Sequence, residues 1–273
     1  MDTSKKISIL MGIYNCAPTL REAIDSIVAQ TYENWEFIIC DDGSKDESLA
    51  IALEYAARDP KRFRIIRNEK NLGLNATLNK CLALADGEYV ARMDGDDLCE
   101  PDRFEKQAAV LNEHGEYAIV SCHMTTFDDN GTWGFVKTKL TPQVRDFPTT
   151  VPMFVHAACM IRREAFLDVE GYTEDERLLR VEDYHLWYKF YAKGYRGYNI
   201  PEVLYRMRDD RNATHRRNAK ARLNGIYATF VGFRMVKLPA WMYYYAVKNA
   251  VTETIKILMP AAVYEHFHKK RLQ

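Results

Sequence analysis

Three aspartates lie within four residues in the segment Asp94-Gly95-Asp96-Asp97. Carboxylates this close repel one another strongly unless a cation lies among them. Oxygen ligands without a nearby cluster of His or Cys favour Mg²⁺ or Mn²⁺ over zinc, and such ions keep positions open for substrate phosphates. We therefore expect a divalent cation here, with Gly95 allowing a tight turn in which the carboxylates converge. A solvated acidic turn is the alternative, because short acidic motifs are common.

A second acidic turn, Asp41-Asp42-Gly43-Ser44, offers a different kind of chemistry. An aspartate at the end of a strand can accept the imino N–H of a pyrimidine base. The alternative is that this turn caps the following helix through Ser44 or Asp46. Capping is the simpler interpretation of the turn by itself, whereas its combination with the first strand and the other acidic segment favours binding of a base.

Both acidic turns fall within an alternation of predicted strands and helices. Short β-rich segments occupy residues 7–13, 35–40, 63–67, 88–93 and 117–126, and the helical periods between them end near residues 29, 58, 85 and 112. Strands separated by helices imply right-handed crossovers and a largely parallel sheet, which is an α/β fold. Ligands of such sheets bind at the carboxyl ends of the strands, where both acidic turns lie.

The second half of the chain is less regular. A hairpin signal at Asp129-Asn130-Gly131 predicts a return strand over residues 133–139, and residues 181–193 are predicted to form a helix that ends at Gly194. Two further helical stretches follow, separated near Pro239, and in the second of them Tyr244, Val247, Val251, Ile255 and Leu258 are predicted to fall on one face. We expect one catalytic domain at 1–210, with a nucleotide-binding half up to about residue 100 and an acceptor half after it, and a helical C-terminal extension at 211–273.

The bulk composition is that of an ordinary soluble globular protein. Of the 273 residues, 47% are hydrophobic and 28% are charged, and no apolar run approaches the length of about 18 residues that a membrane span needs. The six cysteines lack metal-binding spacing and the first residues lack the apolar stretch of a signal peptide, so we expect a cytoplasmic protein with reduced thiols. From Pro201 onward, 14 Lys and Arg face 5 Asp and Glu. This basic end suits either the binding of anions or a solvated surface.

The acidic turns belong to a longer series of motifs that runs in order between residues 6 and 208. The series consists of SILMGIYN (8–15), SIVAQTY (26–32), FIICDDGS (37–44), NLGLN (71–75), DGEYVARMDGDD (86–97), PDR (101–103), VEDYHLW (181–187) and YR (205–206). Together these motifs resemble the family 2 glycosyltransferases of the GT-A (Rossmann-like) fold. The resemblance implies a mostly parallel central sheet flanked by helices, and a reaction that inverts the anomeric carbon by direct displacement.

The resemblance also implies roles for the acidic residues and their neighbours. Tyr14 and Asp42 would hold the base of a nucleotide sugar, with Asp42 as the acceptor of its imino N–H. Asp94 would lie beside the ribose and the metal, and Asp96 would be the principal ligand of Mn²⁺ or Mg²⁺. The metal would stabilise the negative charge on the departing nucleoside diphosphate.

Glu182 and Asp183 match the acidic helix motif of the family, in which Asp183 would be the catalytic base and Glu182 would help to orient it. An acceptor hydroxyl is a poor nucleophile until a carboxylate removes its proton, so the chemistry agrees with this assignment. The alternative for Asp183 is a carboxylate at the start of a helix that interacts favourably with the helix dipole.

Three arginines could supply positive charge for the nucleotide sugar. Arg206 and Arg208 stand where a guanidinium could pair with phosphate, and the alternative is that both are surface residues of a basic segment. Arg92 could touch a phosphate or could only pair with the acidic loop.

The acceptor side is expected near His156 and Trp187. The segment that follows His156 resembles the acceptor-side wall of the family, although a single histidine near apolar residues is more often structural. Trp187 lies four residues after Asp183, and an aromatic ring there is what a sugar pocket would offer.

Two departures from the family pattern narrow the expected activity. The Gln-x-x-Arg-Trp motif of processive members is absent, which favours a single transfer over polymerisation. The histidine that often follows the Tyr-Arg pair is replaced by Arg208, which leaves no counterpart for that histidine's role in metal or phosphate binding.

The expected partners are a nucleotide-diphosphate sugar with UDP as the favoured nucleotide, and a glycan acceptor that could be lipid-linked. Residues 211–273 combine basic side chains with aromatic ones, which suits a helix in a membrane interface. Packing on the catalytic domain or on a second subunit in a homodimer is the alternative. The expected location is therefore the cytoplasm, where the protein could also bind the inner face of the cell membrane. No nucleic-acid partner is expected.

Two rival functions remain open from the sequence. A nucleotidyltransferase that makes sugar nucleotides would need a glycine-rich loop near the N-terminus, where this chain has Tyr14 to Pro18 and only Gly12 upstream. A non-catalytic nucleotide-sugar-binding module would keep Asp42 and Asp96 but would not need Asp183.

Overall fold

Four parallel strands form the first half of a nine-stranded sheet. The computed structural model describes residues 4–149, 152–209 and 219–258. The strands β1 (Ile7–Ile13), β2 (Trp35–Asp41), β3 (Phe63–Arg67) and β4 (Tyr89–Arg92) lie in the order β3-β2-β1-β4. They are connected by the helices α1 (Ala17–Val28), α2 (Ser48–Arg58) and α3 (Leu74–Leu84). The predicted alternation of strands and helices is confirmed in this half.

The second half of the sheet mixes parallel and antiparallel pairs. Its elements are β5 (Leu98–Cys99), α4 (Arg103–Glu113), β6 (Tyr117–Asp128), β7 (Gly131–Val136), β8 (Met160–Arg162), α5 (Arg163–Asp168), α6 (Glu182–Ala192) and β9 (Arg196–Arg208). Strand β8 runs antiparallel between β4 and β6, β9 runs parallel to β6, and β5 and β7 pair antiparallel with β9 and β6. The sequence predicted the hairpin of β6 and β7 and helix α6.

Strand β9 is the longest of the elements that the sequence did not predict, which also include β5, β8 and α5. It is 13 residues long, and its pairing with β6 shifts register near Cys122 and His123. Pro201 lies inside it, and a proline within a β-rich run argues against a central strand. The interrupted register and the proline together hide the period of two that identifies a strand.

The core occupies both faces of the sheet. Within β1, Ile7, Ile9 and Met11 belong to one cluster of buried side chains, and Leu10 belongs to another. This alternation follows from the period of two in a strand, with helices covering each face. All six cysteines are free.

Two helices follow the sheet, α7 (Ala219–Met235) and α8 (Tyr243–Leu258). Helix α7 packs closely on α6, since a Cβ atom at Gly232 would lie 2.1 Å from the ring of Tyr188. A buried ion pair of 2.5 Å between Arg222 and Glu253 joins α7 to α8. Residues 211–218 and 259–273 of the predicted extension lie outside the described residues. In the described part of the chain, no helix has the length and apolar character needed to cross a membrane.

Helix α8 presents an apolar stripe to solvent. The predicted apolar face of this helix is the exposed one, and its members are Tyr244, Val247, Val251, Ile255 and Leu258. The opposite side contacts the domain through Ala246, which is buried. The apolar face of α8 is therefore not covered by any other described residue of this chain.

Candidate active site

The ends of the first three strands are hydrogen-bonded to one another at one edge of the sheet. The backbone N–H of Asp42 donates to the carbonyl of Ile13 (2.8 Å), and the N–H of Asn68 donates to the carbonyl of Asp41 (2.8 Å). The N–H of Met93 donates to Leu10 of the neighbouring strand (3.1 Å). Both acidic turns therefore lie at the carboxyl edge of the parallel strands, as the sequence predicted.

The turn after β1 is tied to the turn after β2. The N–H of Asn15 donates to Ser44 Oγ (3.0 Å), and the N–H of Lys45 donates to Asn15 Oδ1 (2.8 Å). Asn15 has φ of 50°, a left-handed conformation that asparagine adopts more readily than most residues. The side chain of Tyr14 is 46% exposed beside this junction, so its ring is available to stack on a planar ligand.

The carboxylate of Asp42 stabilises the loop that precedes α3. It accepts hydrogen bonds from Asn68 Nδ2 (2.8 Å) and from the backbone N–H groups of Leu72 (2.8 Å) and Gly73 (2.9 Å). The residue is only 4% exposed. Helix capping does not explain Asp42, and any hydrogen bond from a base would use the acceptor capacity that these three bonds leave. Asn68 was missed by the sequence reasoning, although it follows β3 at the same edge.

Asp46 takes part in capping, although the N-cap residue of α2 is Glu47. The Asp46 carboxylate accepts from the N–H of Ser48 (3.0 Å) and from that residue's hydroxyl (2.6 Å) at the start of α2. It also accepts from the N–H of Ala17 at the start of α1 (3.0 Å). One carboxylate therefore stabilises the first turns of two helices.

The three carboxylates of the 94–97 loop have separate environments, so the expected convergence is wrong. Asp94 pairs with the Arg92 guanidinium at 2.8 Å, and Asp96 is exposed. Asp97 is buried and accepts hydrogen bonds from Tyr205 Oη (2.8 Å) and from the N–H of Arg208 (2.8 Å). Asp97 anchors the loop to β9, which leaves Asp94 and Asp96 at the open edge. Tyr205 was part of a recognised motif, but its anchoring role was not foreseen.

Gly95 is required for packing and not for a left-handed turn. Its φ lies outside the positive region, and a Cβ atom there would approach Cys16 Sγ to 3.0 Å. The Thr19 hydroxyl donates to the carbonyl of Gly95 at 3.0 Å. The absence of a side chain lets the loop press against the start of α1.

A divalent cation fits this loop only if its coordination is completed from outside the protein. In the described ranges, no three side chains of His, Cys, Asp or Glu come close enough to hold an ion. Burial and the charges of Asp94 and Asp96 raise the pKa of Asp97 to about 8. Mg²⁺ and Mn²⁺ often take one or two carboxylates and complete their shell with phosphate oxygens and water. The donor set agrees with that mode.

Through Arg92, Asp94 is connected to a chain of hydrogen bonds in the core. The Arg92 guanidinium contacts His156 Nδ1 at 2.5 Å, and His156 Nε2 lies 2.9 Å from Tyr172 Oη. Burial and the charge of Arg92 lower the pKa of His156 well below its ordinary value. The imidazole is therefore neutral, with Nδ1 accepting from Arg92 and Nε2–H donating to Tyr172. Tyr172 lies outside every motif and was not predicted.

His156 and Trp187 do not form the expected acceptor wall in this structure. Trp187 is 1% exposed and packs edge-on against the rings of Phe154 and His156, with centroids 5.0 and 5.5 Å apart. His156 is occupied by Arg92 and Tyr172. Both residues support the acidic loop from the core, since the Trp187 ring packs on His156 and His156 contacts Arg92.

Glu182 and Asp183 are the first two residues of α6. Burial, with the charge of Glu182 second, raises the pKa of Asp183 to about 6, and the charge of Arg92 opposes this rise. A carboxylate with a pKa near neutrality can hold and release a proton under physiological conditions. Arg92 thus interacts both with the 94–97 loop and with the start of α6.

The two arginines of β9 lie on one face of the strand and flank the ring of Phe127, at 5.0 Å for Arg206 and 4.6 Å for Arg208. Arg208 also donates from Nε to the carbonyl of Asp96 (3.2 Å) and pairs with Glu22 (2.7 Å). Arg208 is therefore adjacent to the acidic loop. Arg206 contacts the aromatic ring, and no described contact links it to the loop.

Known proteins provide an independent comparison. The sequence matches the profile of Glycosyl transferase family 2 over residues 8–169 and that of Glycosyl transferase family group 2 over residues 89–266. It is 42% identical over 272 residues to the putative glycosyltransferase EpsE of Bacillus subtilis (strain 168), covering 100% of this chain and 96% of that protein. It is 31% identical over 214 residues to the amylovoran biosynthesis glycosyltransferase AmsE of Erwinia amylovora, covering 77% and 79%.

Solved structures share the architecture at low sequence identity. TarS 1–349 of S. aureus in complex with UDP has a TM-score of 0.70 at 19% identity, covering 89% of this chain and 70% of that one. The mannosyltransferase PcManGT from Pyrobaculum calidifontis, in complex with GDP-Man and Mn²⁺, has a TM-score of 0.67 at 18% identity, covering 98% and 81%. At these identities the likeness concerns the fold, and it confirms the fold that the motifs predicted.

Proposed function

This chain belongs to glycosyl transferase family 2, and on that premise we propose that it transfers a hexose or an N-acetylhexosamine from a nucleotide-diphosphate sugar to a hydroxyl group of a glycan. The relatives with solved structures support a nucleotide donor, since they are complexed with UDP or with GDP-Man. UDP is the nucleotide we favour, with Tyr14 stacking on the base and Asp42 accepting its imino N–H.

The arrangement around Arg92 carries this proposal. Its guanidinium holds Asp94 in the acidic loop, and its charge acts on Asp183 at the start of α6. The loop that would receive a diphosphate and the carboxylate that would receive a proton thus share one buried neighbour. A displacement at a carbon atom between them requires this proximity.

In the proposed reaction the acceptor oxygen attacks the anomeric carbon as the bond from that carbon to the diphosphate oxygen breaks. The proton of the acceptor hydroxyl passes to the carboxylate of Asp183, and the nucleoside diphosphate leaves with the electron pair. Attack from the face opposite the leaving group inverts the anomeric carbon. Burial, and next the charge of Glu182, raise the pKa of Asp183 to about 6, which suits a base that acts near neutral pH.

Asp96 and Asp94 would hold Mn²⁺ or Mg²⁺ together with the diphosphate. When bound, the ion supplies positive charge that stabilises the leaving group. Arg92 fixes the orientation of Asp94, and Arg208 fixes the backbone at Asp96. Arg206, on the same face of β9 as Arg208, would add positive charge near the phosphates. A bound Mn²⁺ in PcManGT supports the metal dependence.

The acceptor we propose is a lipid-linked intermediate of a surface polysaccharide. AmsE, a relative, is named for amylovoran biosynthesis. The exposed apolar stripe of α8, with Lys248 and Lys256 on the same helix, would lie on the inner face of the cell membrane. Alternatively, a second copy of the chain would pack against this apolar stripe in a homodimer. Truncation after Lys237 should abolish binding to liposomes if the membrane covers this stripe, and should convert a dimer to a monomer if a second copy does.

Donor hydrolysis is the most direct test of the proposed function, because it needs no acceptor. Purified protein is incubated with a panel of UDP- and GDP-sugars in the presence of Mn²⁺ or Mg²⁺, and released nucleotide is measured. We expect slow hydrolysis of one donor and its loss after addition of EDTA. Hydrolysis of none of them, with pyrophosphate formed from a sugar 1-phosphate and UTP, would favour a nucleotidyltransferase. Donor binding with wild-type transfer in Asp183→Asn would contradict the assigned base.

A further inference from the structure

A cavity of about 360 Å³ opens beside the first residue of α6. Its walls come from the first turn of α3, from the segment before α6 and from the first residues of α7. Glu182 borders this space, and so do the cationic residues Arg180 and Lys220. Neither cation belongs to a motif of the sequence or has a part in the reaction described above.

Arg180 has an unusual backbone conformation. Its φ is 71°, in the left-handed region that bulky side chains rarely adopt. Such a conformation persists only where the surrounding structure determines it, and it occurs often at ligand-binding sites. Its guanidinium is exposed at the cavity, and no acidic side chain within the described segments forms an ion pair with it.

The segment that carries Arg180 is fastened to α7. The side-chain amide of Asn224, which is buried, donates to the carbonyls of Glu176 (3.2 Å) and Leu179 (3.0 Å). These two bonds fix the chain just before Arg180 against the helix that carries Lys220. The cavity is therefore a built feature and not a gap between loosely packed loops.

Lys220 stands one turn before Asn224 on the wall of the same cavity. It pairs with Glu176 at 3.3 Å, but the side chains are 62% and 86% exposed. Exposed ion pairs of this kind contribute little and exchange readily with other anions. Lys220 can therefore turn to a ligand in the cavity at little cost.

We propose that this cavity binds the acceptor, and that Arg180 and Lys220 recognise an anionic group on it, either a phosphate or a carboxylate. This inference rests on the proposed function, because Glu182, which borders the cavity, directly precedes the base Asp183 in α6. Guanidinium pairs bidentately with either group, and the lysine adds a compact charge. The carboxylate of Glu182 repels an anion, so the charged group binds toward Arg180 and Lys220 while a neutral hydroxyl faces Asp183.

The test uses pairs of acceptor probes in which one member carries an anionic group and the other does not. One pair is decyl diphosphate-linked N-acetylglucosamine and the neutral decyl N-acetylglucosaminide, and the other is methyl glucuronide and methyl glucoside. Affinity is measured by calorimetry with UDP and Mn²⁺ present, so that no turnover occurs. The phosphate pair and the carboxylate pair distinguish the two sources of the anionic group.

We expect the anionic member of at least one pair to bind about ten-fold more tightly than its neutral partner. Arg180→Gln and Lys220→Gln should each reduce this preference, and the double variant should remove it. Arg177→Gln is the matched control, because Arg177 lies in the same segment but pairs with Asp175 and stacks on Tyr227 instead of bordering the cavity. It should keep the wild-type preference.

Donor hydrolysis by the same proteins separates the two hypotheses. Hydrolysis by the wild type without any preference for anionic probes, including no binding of any of the four, overturns the acceptor inference alone. A preference that survives in the double variant overturns it as well. A clear preference in a protein that processes no donor contradicts the proposed function and leaves the anionic site in place.

Discussion

The carboxyl edge of the parallel strands, where we propose that the donor binds (the donor edge), differs from the cavity beside α6 in the hydrogen bonding of its charged side chains. At the donor edge, Asp42 and Asp97 are buried and accept several internal hydrogen bonds each. At the cavity, Arg180 and Lys220 are exposed, and Lys220 makes only an exposed ion pair with Glu176. A preorganised site suits a ligand that never varies, such as a nucleotide. An open site with charged side chains suits an acceptor that differs from one enzyme to another.

The largest effect should come from the carboxylate between these regions. Asp183→Asn should lower the rate of transfer on the order of a thousand-fold, because the amide cannot take the acceptor proton. Binding of the donor, measured by calorimetry, should stay within about two-fold of wild type, since the donor edge does not use Asp183. Weakened donor binding would mean that the two regions are not separate.

A smaller loss is expected at the acidic loop. Asp96→Asn should reduce transfer by about a hundred-fold and raise the concentration of Mn²⁺ needed for half-maximal rate, because one of the few protein ligands is lost. The control is Asp102→Asn, which changes a half-exposed carboxylate that pairs with Lys106 outside the site. Equal behaviour of the two variants would remove Asp96 from the metal site.

Asp42 should matter for stability as well as for binding. Asp42→Ala leaves three donors without their acceptor, and we expect the free energy of unfolding to fall by about 2 kcal/mol in urea titrations. Glu69→Ala, an exposed carboxylate next to Asn68, should change it by less than about 0.5 kcal/mol. If Asp42→Ala loses donor binding without any loss of stability, the hydrogen bonds from Asn68, Leu72 and Gly73 to Asp42 do not stabilise the fold.

The pH dependence tests the environment of Asp183. The base must be ionised, and its pKa is raised to about 6, so kcat should be nearly constant above pH 7 and fall about ten-fold from pH 7 to pH 5. The same raised pKa destabilises the folded state once the carboxyl ionises, between about pH 4 and pH 6. Asp183→Asn should therefore unfold at higher temperature than wild type at pH 8 but not at pH 4. A pH profile that is flat down to pH 5 would show an ordinary carboxyl.

The sequence predicted the first half of the fold and the edge that carries the site. Hydrophobic periodicity and turn residues identified β1 to β4, and the motifs identified the acidic turns. The separate environments of Asp94, Asp96 and Asp97 were not predictable, because they depend on Tyr205 and Arg208 in β9. That strand lies about a hundred residues after the loop in the sequence, and its residues show no clear alternation with a period of two. Likewise, no local pattern indicates that Trp187 faces inward or that Tyr172 supports His156.

Helix α8 shows a second limit of the same kind. The spacing of its apolar residues predicts a helix with one apolar face, and the structure contains that helix. Periodicity does not say whether such a face packs inward, because that depends on neighbours far away in the sequence. Here the packed side is the one with Ala246, and the apolar stripe is exposed.

A crystal structure of the protein soaked with MnCl₂ and UDP would test the central claim most directly. We expect anomalous density for manganese between Asp96, Asp94 and the diphosphate, with the uracil ring against Tyr14. Uridine bound at this edge without manganese in the loop, or manganese bound elsewhere with the loop unchanged, would contradict the proposed role of these two carboxylates.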